Sequence, residues 1–331
     1  MNANIIDGFG GPEVLTWRQM PTPTPQPGEV LVRVAAAGVN LGDTIMRAGR
    51  AAIPLALPLV LGSEAAGTIE DMGEGVSGFR LGDRVLAAPF AVGRLGGGYA
   101  SHICLPAEAV FPLPQTIAFD MAVALGIAGI AALDLSRLLP LDGRTILIHA
   151  AAGGVGNLLV QLGLAAGAQV IATVGNPAKA TAVERLGATH VLSTRSDWCL
   201  EVMALTQDRG PDVIFDAVGG NISAKSLEVL AAGGSFVAYG GSSGAYAALP
   251  EPFMPGFVMK SQSLLGYSMM PILSGPNARA KIAERLTTLY QTVDDGALAP
   301  LIGHRLPIEM AAQAHELIES RNSLGKIVLQ A

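Results

Sequence analysis

The stretch Arg144–Gly167, RTILIHAAAGGVGNLLVQLGLAAG, restricts the fold more than any other part of the chain. Thr145-Ile146-Leu147-Ile148 is short, apolar and β-branched, the pattern of a strand buried on both faces. Small residues follow Ala150: Ala151, Ala152, Gly153 and Gly154, then Val155 and Gly156. Val155, Leu158, Leu159 and Leu162 then recur at helical spacing. Strand, small-residue turn and helix together make Ala151-x-Gly153-x-x-Gly156 a dinucleotide fingerprint with alanine in the first glycine slot. A middle residue without Cβ lets a pyrophosphate approach the backbone, and the last glycine lets helix and strand pack closely. The phosphates are expected on unpaired N–H groups at the positive end of the helix. Ala151, Gly153, Gly154, Val155 and Gly156 are therefore candidate cofactor residues. A glycine-rich turn in an ordinary α/β domain is the competing reading.

The next strand, Gln169–Val174, bears on which dinucleotide is held. A ribose 2′-hydroxyl is gripped by an acidic residue at the end of such a strand. Residues 173–178 (TVGNPA) contain none, and Lys179 follows, a cation suited to a 2′-phosphate. NADP is expected over NAD, with Gly175 and Lys179 as candidate contacts. A solvated lysine in the first turn of the helix opened by Pro177 is the alternative.

At 331 residues the chain is long enough for two domains. Half of it is hydrophobic and 15% is charged, against about 25% in typical soluble domains. So little charged surface suggests burial in an oligomer. A net charge of −6 gives no basic footprint for nucleic acid. The start, MNANIIDGFGGPEV, lacks a basic region and a long apolar run, so no signal peptide is expected. The most apolar run, Met121–Leu133, falls short of a membrane span and stops at Asp134. Two distant cysteines, Cys104 and Cys199, offer neither a disulfide framework nor metal-ligand spacing. The expected compartment is the cytoplasm.

Residues up to about 120 read as β-rich, irregular and punctuated by glycine, with a strand over Leu31–Val34 after a proline-rich loop. Beyond that point the pattern becomes βαβ. Strands are predicted at 145–150, 169–174, 190–192, 212–216, 235–239 and 263–266, with helices at 177–186 and 222–230 between them. Six such strands make a doubly wound parallel sheet the natural α/β fold. Ligands lie at the carboxyl ends of parallel strands, so the loops at 216–220 and 239–244 line the expected crevice. Val218, Gly240 and Ser242 are candidate cofactor residues there. A helix around 277–296 and a strand at 326–329 complete the chain.

Several motifs in order carry a resemblance that covers nearly the whole length. They are Ala36-Ala37-Gly38-Val39-Asn40, Leu61-Gly62-Ser63-Glu64-Ala65-Ala66-Gly67, Gly82-Asp83-Arg84-Val85, His149–Gly156 and Ser320-Arg321-x-x-x-Gly325-Lys326-Ile327-Val328. With these, the chain resembles the medium-chain dehydrogenase/reductases and, within them, the zinc-independent quinone oxidoreductases. The resemblance implies a GroES-like catalytic domain over 1–120, completed by 267–331, with a Rossmann domain over 121–266 inserted between. It also implies homodimers or homotetramers, with residues 263–268 as a candidate pairing edge.

Zinc-dependent relatives hold their metal with a cysteine and a histidine where this chain has Asn40 and Ser63. The third-ligand region, about Ala122–Ala132, contains no Cys, His, Asp or Glu, whereas zinc needs three such ligands. A four-cysteine lobe is missing after Val85, where LAAPFAVGRLGGGYAS stands instead. No metal is expected. Without a Lewis acid, a plain ketone would gain a poorly stabilised alkoxide. A quinone delocalises the incoming charge, and an α,β-unsaturated carbonyl gives an enolate. NADPH-dependent reduction of a quinone or enone is the first reading. An enoyl or alkenal reductase of the same fold, or a nucleotide-binding protein without turnover, are its rivals.

The resemblance places Asn40 and Lys326 near the nicotinamide. For Asn40 the alternative is a loop residue bonding its own backbone, and for Lys326 a surface charge at a strand end. Tyr99 is a candidate hydroxyl donor to substrate or a packing residue. Asp43 reads as a helix cap, Glu64 as structural and His149 as a buried core histidine. Where the family has a tyrosine near the 2′-phosphate this chain has Thr194, and neighbouring Arg195 is the candidate replacement. The family's threonine before the first Rossmann strand is also absent, since the chain reads Gly129-Ile130-Ala131. The apolar stretch Tyr246–Met270 suits a substrate wall, a core or a subunit interface.

Overall fold

Contacts divide the chain into two compact units, Met1–Ile130 with Met270–Ala331, and Ala131–Met269. The computed structural model describes residues 1–246, 249, 253–273, 275 and 277–331.

The second unit is a six-stranded sheet whose order is His190–Ser193, Gln169–Val174, Thr145–Ile148, Val213–Asp216, Ser235–Ala238, Ser263–Gly266. Every pairing is parallel. Strand order therefore reverses beside Thr145–Ile148, the switch point at which such sheets bind ligands. All four residues of that strand are buried, as a continuous apolar run requires. The strand ends at Ile148 rather than at residue 150, because Ala150 takes φ 52°, a left-handed conformation that breaks the ladder. Helix Gly154–Ala165 comes next, burying Leu158, Leu159, Val160 and Leu162. The helical segment predicted at 177–186 is a 3₁₀ turn, Pro177–Lys179, then helix Ala180–Glu184. Asn176 caps it by accepting the Ala178 N–H.

The first unit is built on the eleven-residue strand Glu29–Val39. It lies between Lys326–Gln330 and Glu64–Met72, antiparallel to both, and also pairs with His102–Pro106. Ile302–Pro307, Arg84–Ala87 and Val110–Pro112 extend the sheet, and a separate three-stranded sheet holds Asn2–Ile6. Val30, Val32, Val34, Ile69, Val85 and Leu105 form its core. The sequence puts the domain divide near 120 and 266, whereas the contacts divide after Ile130 and Met269. The reason is helix Phe119–Leu125, which packs against strands Glu29–Val39 and Glu64–Met72 of this unit. Among the described residues no single helix is long and apolar enough to cross a membrane.

Candidate active site

In the nucleotide-type unit the fingerprint falls at the carboxyl end of the central parallel strand. Gly153 caps helix Gly154–Ala165 with extended backbone and no side-chain cap. The first-turn N–H groups of Gly154, Val155 and Gly156 thus have no intrahelical partner. A Cβ on Gly156 would stand 2.4 Å from the Ala150 carbonyl oxygen and 2.8 Å from the Ala151 Cα, so only glycine lets the helix start this close to the turn. Ala151 is fully buried and donates its N–H to Thr173 O. The turn therefore fits a diphosphate: small, backbone-lined and at the positive end of a twelve-residue helix.

The neighbouring strand ends supply the other candidates. Val174 pairs with Ser193, and Thr194 N–H donates to Val174 O, so Gly175, Thr194 and Arg195 emerge side by side. Arg195 is exposed and Lys179 is partly buried nearby in sequence; burial lowers the Lys179 pKa. No acidic residue occurs between Val174 and Lys179 or between Ser193 and Arg195.

Asp216, which sequence reasoning does not single out, builds the next loop. Its buried carboxylate accepts from the N–H groups of Val218 and Gly219 and from the Ser223 hydroxyl. Gly240 packs beside Ala217, and Ser242 donates its N–H to Ala217 O, joining the two loops. His149 is fully buried between Thr173 and Ser226, each 2.8 Å away. Ser226 donates its own proton to Ile222 O, so His149 Nε2 donates to Ser226 and Nδ1 accepts from Thr173. Desolvation by burial lowers its pKa to about 4, against the pull of Asp216. It is a satisfied core histidine.

In the other unit, register assembles a buried polar triangle. Gly38 pairs with Glu64, and Ile327 with Val39, so Asn40, Glu64 and Lys326 sit at three adjacent strand ends. Lys326 Nζ donates to Glu64 Oε1 at 2.5 Å and to Asn40 Oδ1 at 2.7 Å. Asn40 Nδ2 donates to Glu64 Oε1 at 2.9 Å, and Glu64 Oε2 accepts the Ile127 N–H at 2.7 Å. Lys326 is 3% exposed and Glu64 0%, which removes the surface-charge reading of the lysine.

Asp43 anchors the loops that carry Asn40 and Ser63. Its Oδ2 accepts from Asn40 N–H and the Tyr99 hydroxyl, and its Oδ1 from Ser63 N–H and Oγ. Desolvation raises its pKa, opposed by the bonds from Ser63, Asn40 and Tyr99. Four donors suit only the carboxylate form. Of the two readings of Tyr99, hydroxyl donor to substrate or packing residue, its surroundings favour packing: it is 0% exposed and its hydroxyl proton is committed to Asp43. Its oxygen lies 3.3 Å from His315 Nε2, whose Nδ1 faces Arg47. Burial, reinforced by Arg47, lowers the His315 pKa to about 3.

The side chains of Asn40 and Ser63 are thus engaged by Glu64, Lys326 and Asp43. Among the described residues no group of three His, Cys, Asp or Glu side chains could hold a metal ion. The donor set does not fit zinc.

The apolar stretch near 253 faces outward. Helix Phe253–Met259 has no buried residue, and Met259 is 85% exposed. Residues 247, 248 and 250–252 of that stretch lie outside the described residues. Strand Ser263–Gly266 is the sheet's edge.

Two family models match the chain: an alcohol dehydrogenase GroES-like domain over residues 26–115 and a zinc-binding dehydrogenase over 154–286. A quinone oxidoreductase of Rattus norvegicus is 32% identical over 334 residues, 99% of this chain and 97% of its own. A 2-haloacrylate reductase of Burkholderia sp is 32% identical over 99% of this chain and 98% of its own. The crystal structure of an Escherichia coli quinone oxidoreductase complexed with NADPH is similar with a TM-score of 0.89, at 30% identity and full coverage of both chains.

Proposed function

The chain belongs to the zinc-independent quinone oxidoreductase family of the medium-chain dehydrogenase/reductases, and from that premise we propose that it is an NADPH-dependent oxidoreductase of quinones and conjugated carbonyls. What carries the reading is the small-residue turn Ala151–Gly156, which opens a helix at the switch point of the parallel sheet. Bound NADPH supplies a hydride, and the acceptor also takes one proton from solvent, so a quinone leaves as hydroquinone. The first-turn N–H groups of Gly154, Val155 and Gly156 hold the diphosphate. Lys179 and Arg195 hold the 2′-phosphate, and the loops at Gly175, Val218, Gly240 and Ser242 line the cofactor. Asn40, backed by Lys326, serves the reacting end.

An acceptor that already delocalises charge suits these residues, because Asn40 and Ser63 supply no Lewis-acid ligand. NADPH oxidation assayed with a quinone, then with simple aldehydes, tests this. Turnover of quinones with little of aldehydes is expected; fast aldehyde turnover with none of quinones would overturn it. The similarity to a 2-haloacrylate reductase favours a second reading, reduction of an activated C=C bond, and comparing kcat/KM for enones and quinones separates the two. We further place the enzyme in the cytoplasm as a homodimer that pairs the exposed edge Ser263–Gly266, which sedimentation of a Leu264→Lys variant would test.

A further inference from the structure

A carboxamide has two ends of similar shape and opposite hydrogen-bonding character. At Asn40 the two ends are told apart. Lys326 Nζ, which only donates, stands 2.7 Å from Oδ1, and Glu64 Oε1, which as a carboxylate only accepts, stands 2.9 Å from Nδ2. Turning the amide over would set donor against donor and acceptor against acceptor. The 2.5 Å bond from Nζ to Oε1 closes the triangle.

Glu64 is itself held in place. Its second oxygen accepts the Ile127 N–H, and its slot exists because two neighbours lack side chains. A Cβ on Gly38 would lie 2.4 Å from Oε1, and one on Gly126 would lie 2.1 Å from Oε2. Asn40 is half-buried, whereas Glu64 and Lys326 are buried. Of the three side chains, only the amide has surface to offer, and one N–H of Nδ2 is already given to Glu64.

We propose that Glu64 and Lys326 are positioning residues that lock the Asn40 carboxamide in one orientation, so that the second Nδ2 N–H is the donor presented to a carbonyl oxygen of the bound reactants. This rests on the assignment of Asn40 to the reacting end. The oxygen belongs either to the nicotinamide carboxamide or to the acceptor, and the two sources give different kinetics.

The test uses the full-length enzyme and the double variant Glu64→Gln, Lys326→Met, which removes both buried charges together. If the nicotinamide is the partner, the Kd for NADPH, read by fluorescence, rises at least tenfold. If the acceptor is the partner, Kd stays within twofold and kcat/KM for the quinone falls at least tenfold. In either case adding Asn40→Ala to the double variant changes the affected constant less than twofold, because the pair acts through that amide. The proposal is overturned if the double variant matches wild type in both constants, or if Asn40→Ala multiplies the loss in full.

A second readout needs neither cofactor nor turnover, and it covers the case of a double variant that fails to fold. In ¹⁵N spectra of the wild-type protein without nucleotide, one Asn40 side-chain proton is expected to exchange slowly with solvent, and two freely exchanging protons overturn the proposal. A wild type that fails to oxidise NADPH with any quinone or conjugated carbonyl would sink the functional reading while leaving this arm intact.

Discussion

Strand Thr145–Ile148 and strand Glu29–Val39 each end in their unit's candidate site, and they end in different ways. The first runs parallel to both neighbours and leaves the sheet in small residues, so its functional groups are backbone N–H groups. The second runs antiparallel to its partners, so strand ends from distant parts of the sequence converge on the side chains of Asn40, Glu64 and Lys326. A backbone site excludes side chains and asks little of the rest of the chain. A buried side-chain site requires each partner to be present, since an unpaired charge there has no water to turn to.

The largest effect that would sharpen this contrast comes from removing one partner. Glu64→Leu leaves Lys326 buried without its countercharge and is expected to destabilise the protein by about 3–5 kcal/mol in urea unfolding; a loss below ~1 kcal/mol would break the comparison. Acid comes next. His149 in one unit and His315 in the other titrate in the fold at about 4 and about 3, below the ~6.5 of the unfolded chain. The unfolded state therefore binds more protons below pH 6.5, and stability falls as pH drops from there towards 4 and 3. By pH 5 the two amount to about 4 kcal/mol. Urea midpoints at pH 7 and 5 measure it, and His149→Gln and His315→Gln should each flatten the profile.

Gly156→Ala tests the backbone site. The added Cβ meets the Ala150 carbonyl at 2.4 Å, and a loss of about 1–3 kcal/mol is expected, with NADPH binding lost in a fluorescence titration. Unchanged binding would show that the turn needs no glycine there. The smallest effect belongs to a solvated charge. Arg195→Gln should weaken NADPH binding about tenfold, or about 1.4 kcal/mol, and leave NADH unchanged; equal effects on both would remove Arg195 from the 2′-phosphate.

The same contrast explains what the sequence discloses. The four inner strands of the parallel sheet are readable as apolar runs, because burial on both faces leaves its mark on nearly every residue. The phosphate turn is readable because its signal is contiguous. Tyr99 is not. In the sequence it sits in Gly-Gly-Gly-Tyr-Ala, which reads as a hairpin, while its acceptor Asp43 lies 56 residues earlier and His315 lies 216 later. The Glu64–Lys326 pair is separated by 262 residues, and Asp216 reads as an ordinary strand-end acid until its loop folds around it.

That separation has a consequence for biogenesis. The nucleotide-type unit is a single continuous segment and can close while the ribosome is still translating the C-terminal stretch. Strand Glu29–Val39 must wait for its partner Lys326–Gln330 through the synthesis of that whole insertion, with Glu64 uncompensated in the meantime. The first unit thus stays open to chaperones through most of elongation, and the arrival of Lys326 is what neutralises the buried acid.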